Sequence, residues 1–236
     1  MKVWKAGRKN AIRRFFYCTA LIFSIPLSAQ NVLRGEISEE LEPVYAVFLG
    51  IPSPIDNKTA ILWALEDSAA AFAGMIYGWN FEYEPGERSR NIPETLDLNS
   101  LGAIQFGDRR MSISDTRVEN DMFYLSSDYT LSPEQEYRIK AWNASTTVGI
   151  NTIGYASLQG NPGITDRRMI KFSALEDAVK KAIRSYFRSI VKNRPRAIKG
   201  YIALSQFPSF RIAHGQWAAT ARFRLQMSEI VPFSVY

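Results

Sequence analysis

His214 is the only histidine in the 236 residues, and Gly215 follows it, so a turn position is expected. A general base needs a positioned partner, and no motif sets one beside His214. Zinc recruits several His or Cys ligands, and the chain has one of each. Asp108 to Glu119 lacks the spaced Asp/Asn/Gly pattern of a calcium loop. The acid pairs Glu66-Asp67 and Glu176-Asp177 suggest hydrolysis by paired carboxylates. Adjacent helix residues point about 100° apart, so neither pair can face one scissile bond, and both are expected to be solvated or helix-capping acids. The glycines of 149–163 match neither the dinucleotide fingerprint nor a phosphate loop, and no serine stands in a nucleophile-elbow sequence. The expectation is a protein that is not an enzyme, with no catalytic residues, no cofactor and no metal.

The remaining candidates are cations. Lys180, Lys181, Arg184, Arg188 and Lys192 form the polar side of a helix and are the expected interaction residues. The formal charge of +6 and pI near 9.4 invite a nucleic-acid reading, but the charge is unevenly placed. Residues 1–30 have the form of a secretory signal. Lys2, Lys5, Arg8, Lys9, Arg13 and Arg14 come first, an apolar run spans Phe15 to Leu27, and Ser28-Ala29-Gln30 offers small residues for cleavage near Ala29-Gln30. That run is about 13 residues, short of the roughly 20 that span a bilayer.

Six of the 29 basic residues lie in this leader, leaving 23 bases against 23 acids. From Asn31 to Tyr137 there are 19 acids and 7 bases, and from Arg138 to Tyr236 there are 4 acids and 16 bases, so net charges of −12 and +12 face each other. Such asymmetry bears on association and steering. It suits two faces that attract within one molecule, or head-to-tail assembly with a second copy or other envelope proteins. Export argues against a nucleic-acid partner. The basic helix suits acidic polymers, anionic lipid head groups or an acidic protein face, and hence peripheral membrane contact. No transmembrane helix is expected after the leader. Cys18 lies in the leader, so the remainder is cysteine-free, as fits a periplasmic or outer-envelope setting.

These side chains must be positioned by elements that can be read from periodicity. Val44–Gly50 reads as a buried strand. Pro52 and Pro54 break the chain, and Asp56 or Asn57 caps a helix from Lys58 to about Tyr77, whose alanines predict packing on more than one side. Trp79–Glu84 reads as a strand and Pro85–Asn99 as a loop. Leu101–Phe106, Arg110–Ser114 and Asp121–Leu125 read as strands. Asp128–Glu136 reads as a linker, followed by strands at Tyr137–Ala144 and Thr146–Leu158. Gln159–Ile164 signals a turn. Thr165 or Asp166 then caps a helix reaching about Lys192, with the apolar stripe Met169, Phe172, Leu175, Val179, Ile183, Tyr186, Phe187 and Ile190 on a sheet. Pro195 stops it. Ala197–Leu204 and Gln216–Met227 read as strands, and the apolar tail Val231–Tyr236 is expected to dock.

Ala64-Leu-Glu-Asp67 recurs as Ala174-Leu-Glu-Asp177, each within a helix. The expected fold class is therefore α+β: two similar modules, each a long helix packed on a small, mostly antiparallel sheet, and an internal duplication. The divisions are a signal peptide at 1–30, an acidic module at 31–136 and a basic module at 137–236.

About Ile153 to Leu225, Gly154-Tyr155-Ala156 ends a strand, Asp166-Arg167 opens a helix, and Ala174, Asp177, Ala178 and Ala182 follow on it. This segment resembles the exported flagellar and envelope modules of the FlgT amino-terminal domain and FlgP-type lipoproteins. Leu49-Gly50 followed by Ala60, Ala64, Asp67 and Ala71 is a fainter copy. The chain departs from the lipoproteins in having no cysteine at the cleavage site. The resemblance implies a non-enzymatic periplasmic ring or scaffold component, flagellum-associated, that works through protein contacts. The alternative reading is a periplasmic small-ligand or polymer-binding protein, which predicts a concave apolar pocket with convergent polar groups between helix and sheet.

Overall fold

A computed structural model of the chain describes residues 31–86, 91–144, 146–158, 167–190 and 195–232, with side chains at 48, 189 and 190 excepted. The expected leader at 1–30, the expected turn at 159–164, Thr165, Asp166, Lys192 and residues 233–236 lie outside the described residues. In chain order the first elements are β1 (Val32–Glu40), α1 (Ala46–Leu49), α2 (Asn57–Ile76), β2 (Trp79–Glu84), β3 (Thr95–Ser100), β4 (Met111–Glu119) and β5 (Met122–Thr130). They are followed by α3 (Pro133–Trp142), β6 (Val148–Ser157), α4 (Arg167–Ile190), β7 (Ala197–Leu204), β8 (Ser209–Ala213) and β9 (Gln216–Val231).

The fold is α+β, with two antiparallel sheets. One has the order β1-β5-β4, and the other has the order β3-β2-β7-β9-β6 with β8 also on β9. β2 pairs with β7, so strands from both sides of residue 136 share the larger sheet.

Asp56 starts α2 by accepting from the Thr59 amide at 2.9 Å, which satisfies one of the free N–H groups of the first turn. The helix runs between the two sheets. Ala60 and Ala64 pack with Ile37, Phe123 and Leu125 of the smaller sheet, Phe72 and Ile76 pack with Tyr129, and Gly74 lies against Trp79 and Leu204 of the larger one. A helix clad on several sides must be small and apolar around its circumference, and the alanines provide this. By length and composition α2 is the one helix among the described residues that could cross a bilayer. Here it is core.

α4 lies on β6 and β9. Ala174, Ala178 and Ala182 are fully buried, with Val179 and Ile183 beside them. A Cβ on Gly154 of β6 would stand 2.0 Å from the Ala174 carbonyl oxygen and 2.2 Å from the Ala178 nitrogen. The glycine is thus what lets helix and strand touch. Each large side chain fully buried here contributes roughly 1.5–3 kcal/mol, and the main core gathers Phe81, Ile198, Ile202, Trp217, Phe223 and Leu225.

Several elements differ from the periodicity reading. Val44–Gly50 is a turn and the one-turn helix α1 rather than a strand. Val44 and Val47 are exposed while Tyr45 and Ala46 are buried, which is not a two-residue alternation, and Gly50 closes the turn at φ 63°. β3 lies in the expected loop, and 101–106 is irregular. Leu96 and Leu98 are the alternating pair, set opposite Tyr83 and Phe81, and Leu101 and Phe106 are exposed. β5 extends to Thr130 through the expected linker, and Tyr137–Ala144 belongs to helix α3 and its end. Ser132 and Gln135 form a reciprocal capping box with Pro133 in the first turn, and this start signal outweighs the alternation that follows it. β1 and β8 are additional strands.

Candidate functional site

The inward face of β1 carries Leu33, Gly35, Ile37 and Glu39, and Glu39 is 1% exposed. On α2, Asp67 continues the buried stripe of Ala60 and Ala64. On α4, Arg167 and Lys171 precede Ala174, Ala178 and Ala182 at helical spacing. The fold brings these four charges together. Arg167 Nη1 donates to Glu39 Oε1 and Oε2 at 3.0 and 2.9 Å and to Asp67 Oδ2 at 3.2 Å. Lys171 Nζ donates to Glu39 Oε1 and Asp67 Oδ2, both at 2.8 Å.

Aromatic rings enclose the cations. The Arg167 guanidinium lies 4.6 Å from the Trp63 ring centre, and Lys171 Nζ lies 5.0 Å from that of Trp217. Two negative and two positive charges cancel, which is how a group this size survives burial. Burial pushes the Asp67 carboxyl up, but Lys171 and Arg167 outweigh it and hold it below its ordinary range. At Glu39 burial outweighs the same two cations and the pKa is raised. Burial likewise raises the neighbouring Tyr45 hydroxyl. Among the described residues, Tyr45 Oη and Arg167 Nη2 are buried with no hydrogen-bond partner.

Above this quartet opens a cleft of about 600 Å³ between α2, α4 and the larger sheet. Asp67 and Lys171 belong to both quartet and cleft. Ala70 and Ala71 leave the space on the α2 side, and Trp79, Leu204 and Phe210 form the sheet side. From α4 come Met169, Phe172, Ser173 and Glu176, a stripe at helical spacing. Met169 and Phe172, expected on the sheet, are 53% and 41% exposed, and Ile170 and Lys171 take the buried arc instead.

The acid pairs also separate. Asp67 is buried in the quartet rather than solvated, because its arc of α2 meets α4. Glu66 pairs at the surface with Arg168, 3.1 Å away. Asp177 accepts from the Tyr155 amide at 2.9 Å and pairs with Lys181 at 2.8 Å, while Glu176 faces the cleft. His214 is exposed in the β8–β9 turn at φ 53°.

Of the five candidate cations, Lys181 also donates to the Ile153 carbonyl at 3.1 Å and lies over Tyr155. Arg184 binds Glu94, which also accepts from Tyr83. Arg188 is exposed and Lys180 is half-buried. Acidic and basic halves thus meet inside one chain, also through Lys199 and Glu82 at 3.0 Å. Sequence reasoning missed Glu39 and Lys171. A signal was present, since each of the four buried charges occupies the next position of a buried stripe.

A protein-family model matches residues 24–233, and the chain belongs to that family. The chain is similar to an uncharacterized protein of Treponema pallidum (strain Nichols), with 23% identity over 173 residues covering 72% of this chain and 69% of the relative. No solved structure matches it.

Proposed function

We propose that this is an exported, periplasmic or outer-envelope protein that works by binding rather than catalysis, with the cleft between α2 and α4 as its binding site. The observation that carries the reading is the cleft itself, whose size lies in the range of small-molecule pockets and whose apolar walls stand on a buried, charge-balanced base. The leader supports export. An internal duplication accounts for the matching strand orders β1-β5-β4 and β6-β9-β7, each with a long helix after its first strand.

Cell fractionation with N-terminal sequencing tests the setting; the exported form should begin at Gln30 or Asn31, and an intact cytoplasmic chain would refute export. A ligand screen by thermal shift on the native chain and Ala70→Trp tests the site. Ligands that stabilise only the native chain support it, and equal stabilisation of both chains refutes it.

Assembly with envelope partners, including flagellar ones, or head-to-tail with a second copy is the second reading, supported by the −12 and +12 halves. Sedimentation across a salt series tests it. A salt-insensitive monomer whose partner binding survives exchange of Lys180, Lys181, Arg184 and Arg188 for Glu would end it.

A further inference from the structure

We infer that the cleft takes a small organic cation with an apolar body, its ammonium group met by the Glu176 carboxylate beside the rings of Trp79 and Phe172. The inference rests on the binding reading above and adds the chemical class of the ligand.

The polar groups of the cleft decide the sign of the charge. Asp67 and Lys171 are spent on each other and on the quartet. Arg168 is paired with Glu66, and the Ser173 hydroxyl donates to the Met169 carbonyl at 2.9 Å. Glu176 is half-buried and makes no hydrogen bond or ion pair with a described residue. Burial raises its pKa, and only Lys180, one turn further on, pulls the other way. An arriving cation would supply the partner that the carboxylate lacks among the described residues.

The walls decide the kind of cation. Trp79 and Phe172 lie with ring centres 6.5 Å apart and tilted by 53°. Their negative π faces attract alkylammonium groups, and more so in a partly dehydrated site. Met169, Leu175 and Leu204 extend the apolar surface beyond the rings, so an ammonium carrying a hydrocarbon body buries more than a bare one. The small side chains of Ala70 and Ala71 on α2 leave the room that such a body would fill.

The test is titration calorimetry of the purified chain with three probes sharing an octyl chain: octyltrimethylammonium, octyl glucoside and octyl sulfate. The native chain should bind the ammonium probe about tenfold more tightly than the neutral one. Glu176→Gln should lower octyltrimethylammonium affinity about tenfold, to that of octyl glucoside for the same variant, and Ala70→Trp should abolish binding of all three. If Glu176→Gln binds the ammonium probe as tightly as the native chain, or octyl sulfate binds best, the cation inference fails while sensitivity to Ala70→Trp preserves the cleft. If no probe binds the native chain, or Ala70→Trp changes nothing, the cleft reading falls with it. Thermal midpoints of both variants confirm that they are folded.

Discussion

Arg167 Nη1 donates to both carboxylate oxygens of Glu39 across 128 positions of the chain, at 3.0 and 2.9 Å, with both side chains almost wholly buried. The contact ties the first strand of the smaller sheet to the helix that lies on the larger one. Lys171 and Asp67 complete the arrangement, so β1, α2 and α4 converge on one neutral cluster. That cluster is also the base of the cleft, and whatever loosens it should loosen the proposed site.

Removing one cation should cost far more than an ordinary surface pair. Lys171→Met leaves Glu39 and Asp67 sharing Arg167 alone, and stranding a buried charge in this way costs about 3–5 kcal/mol. The Glu39→Gln/Lys171→Met double variant should lose less than the sum of the two single losses. Guanidinium unfolding of the four chains measures this, and strict additivity would show that the cluster is not coupled.

Acid titration should separate the two buried carboxylates. The folded pKa of Asp67 lies below its ordinary 3.8. Its stabilisation is therefore whole above 3.8 and is lost as pH falls through the folded value. The folded pKa of Glu39 lies above 4.5, so its sign is opposite: its contribution is greatest below 4.5 and declines as pH rises through the folded value. Urea midpoints between about pH 3 and about pH 7 should flatten above 4.5 for Glu39→Gln and below 3.8 for Asp67→Asn. Native-like curves for both variants would contradict the assignment.

Gly154 should be intolerant of any side chain. Its Cβ would meet backbone atoms of Ala174 and Ala178 at 2.0 and 2.2 Å, which cannot turn aside as a flexible side chain would. Gly154→Ala is expected to cost about 3 kcal/mol. Gly149→Ala on the same strand meets only Arg224 Nη1 at 3.5 Å and should change stability by less than about 1 kcal/mol. Comparable thermal midpoints for the two variants would show that α4 rides further from β6.

Gln135 should matter more than its place on a short helix suggests. Its amide nitrogen donates to Tyr77 Oη at 2.9 Å and Tyr129 Oη at 3.2 Å, while its carbonyl oxygen accepts from the Ser132 amide at 2.9 Å. Gln135→Ala strands several of these groups and should cost about 2–3 kcal/mol. Ser132→Ala, losing the cap alone, should cost about 1 kcal/mol. Equal losses in chemical denaturation would reduce Gln135 to a capping role.

Much of the scaffold was legible in the chain. The Asp56 cap and the alanines of α2 marked a helix packed on several sides, and β2 and β7 matched their expected bounds. These signals are local, since a cap or an alternation is written within a few residues. β1 was hidden because two of its four inward positions are Gly35 and Glu39, neither of which reads as core. A Cβ at Gly35 would stand 2.3 Å from the Phe207 ring, so that position is small because of a residue far along the chain. α3 was legible in its capping box, yet its alternating residues masked the helical reading.

The sequence by itself determined the leader-like first thirty residues, the opposed charges of the two halves, the long helices and the strands with clean alternation. Only the tertiary structure decided that Glu39, Asp67, Arg167 and Lys171 are buried together and that Met169 and Phe172 face a cleft rather than a sheet. The physical reason is distance along the chain. An apolar stripe shows which arc of a helix is covered, but what covers it, and whether a charge on that arc finds its counter-charge, depends on contacts more than a hundred residues away.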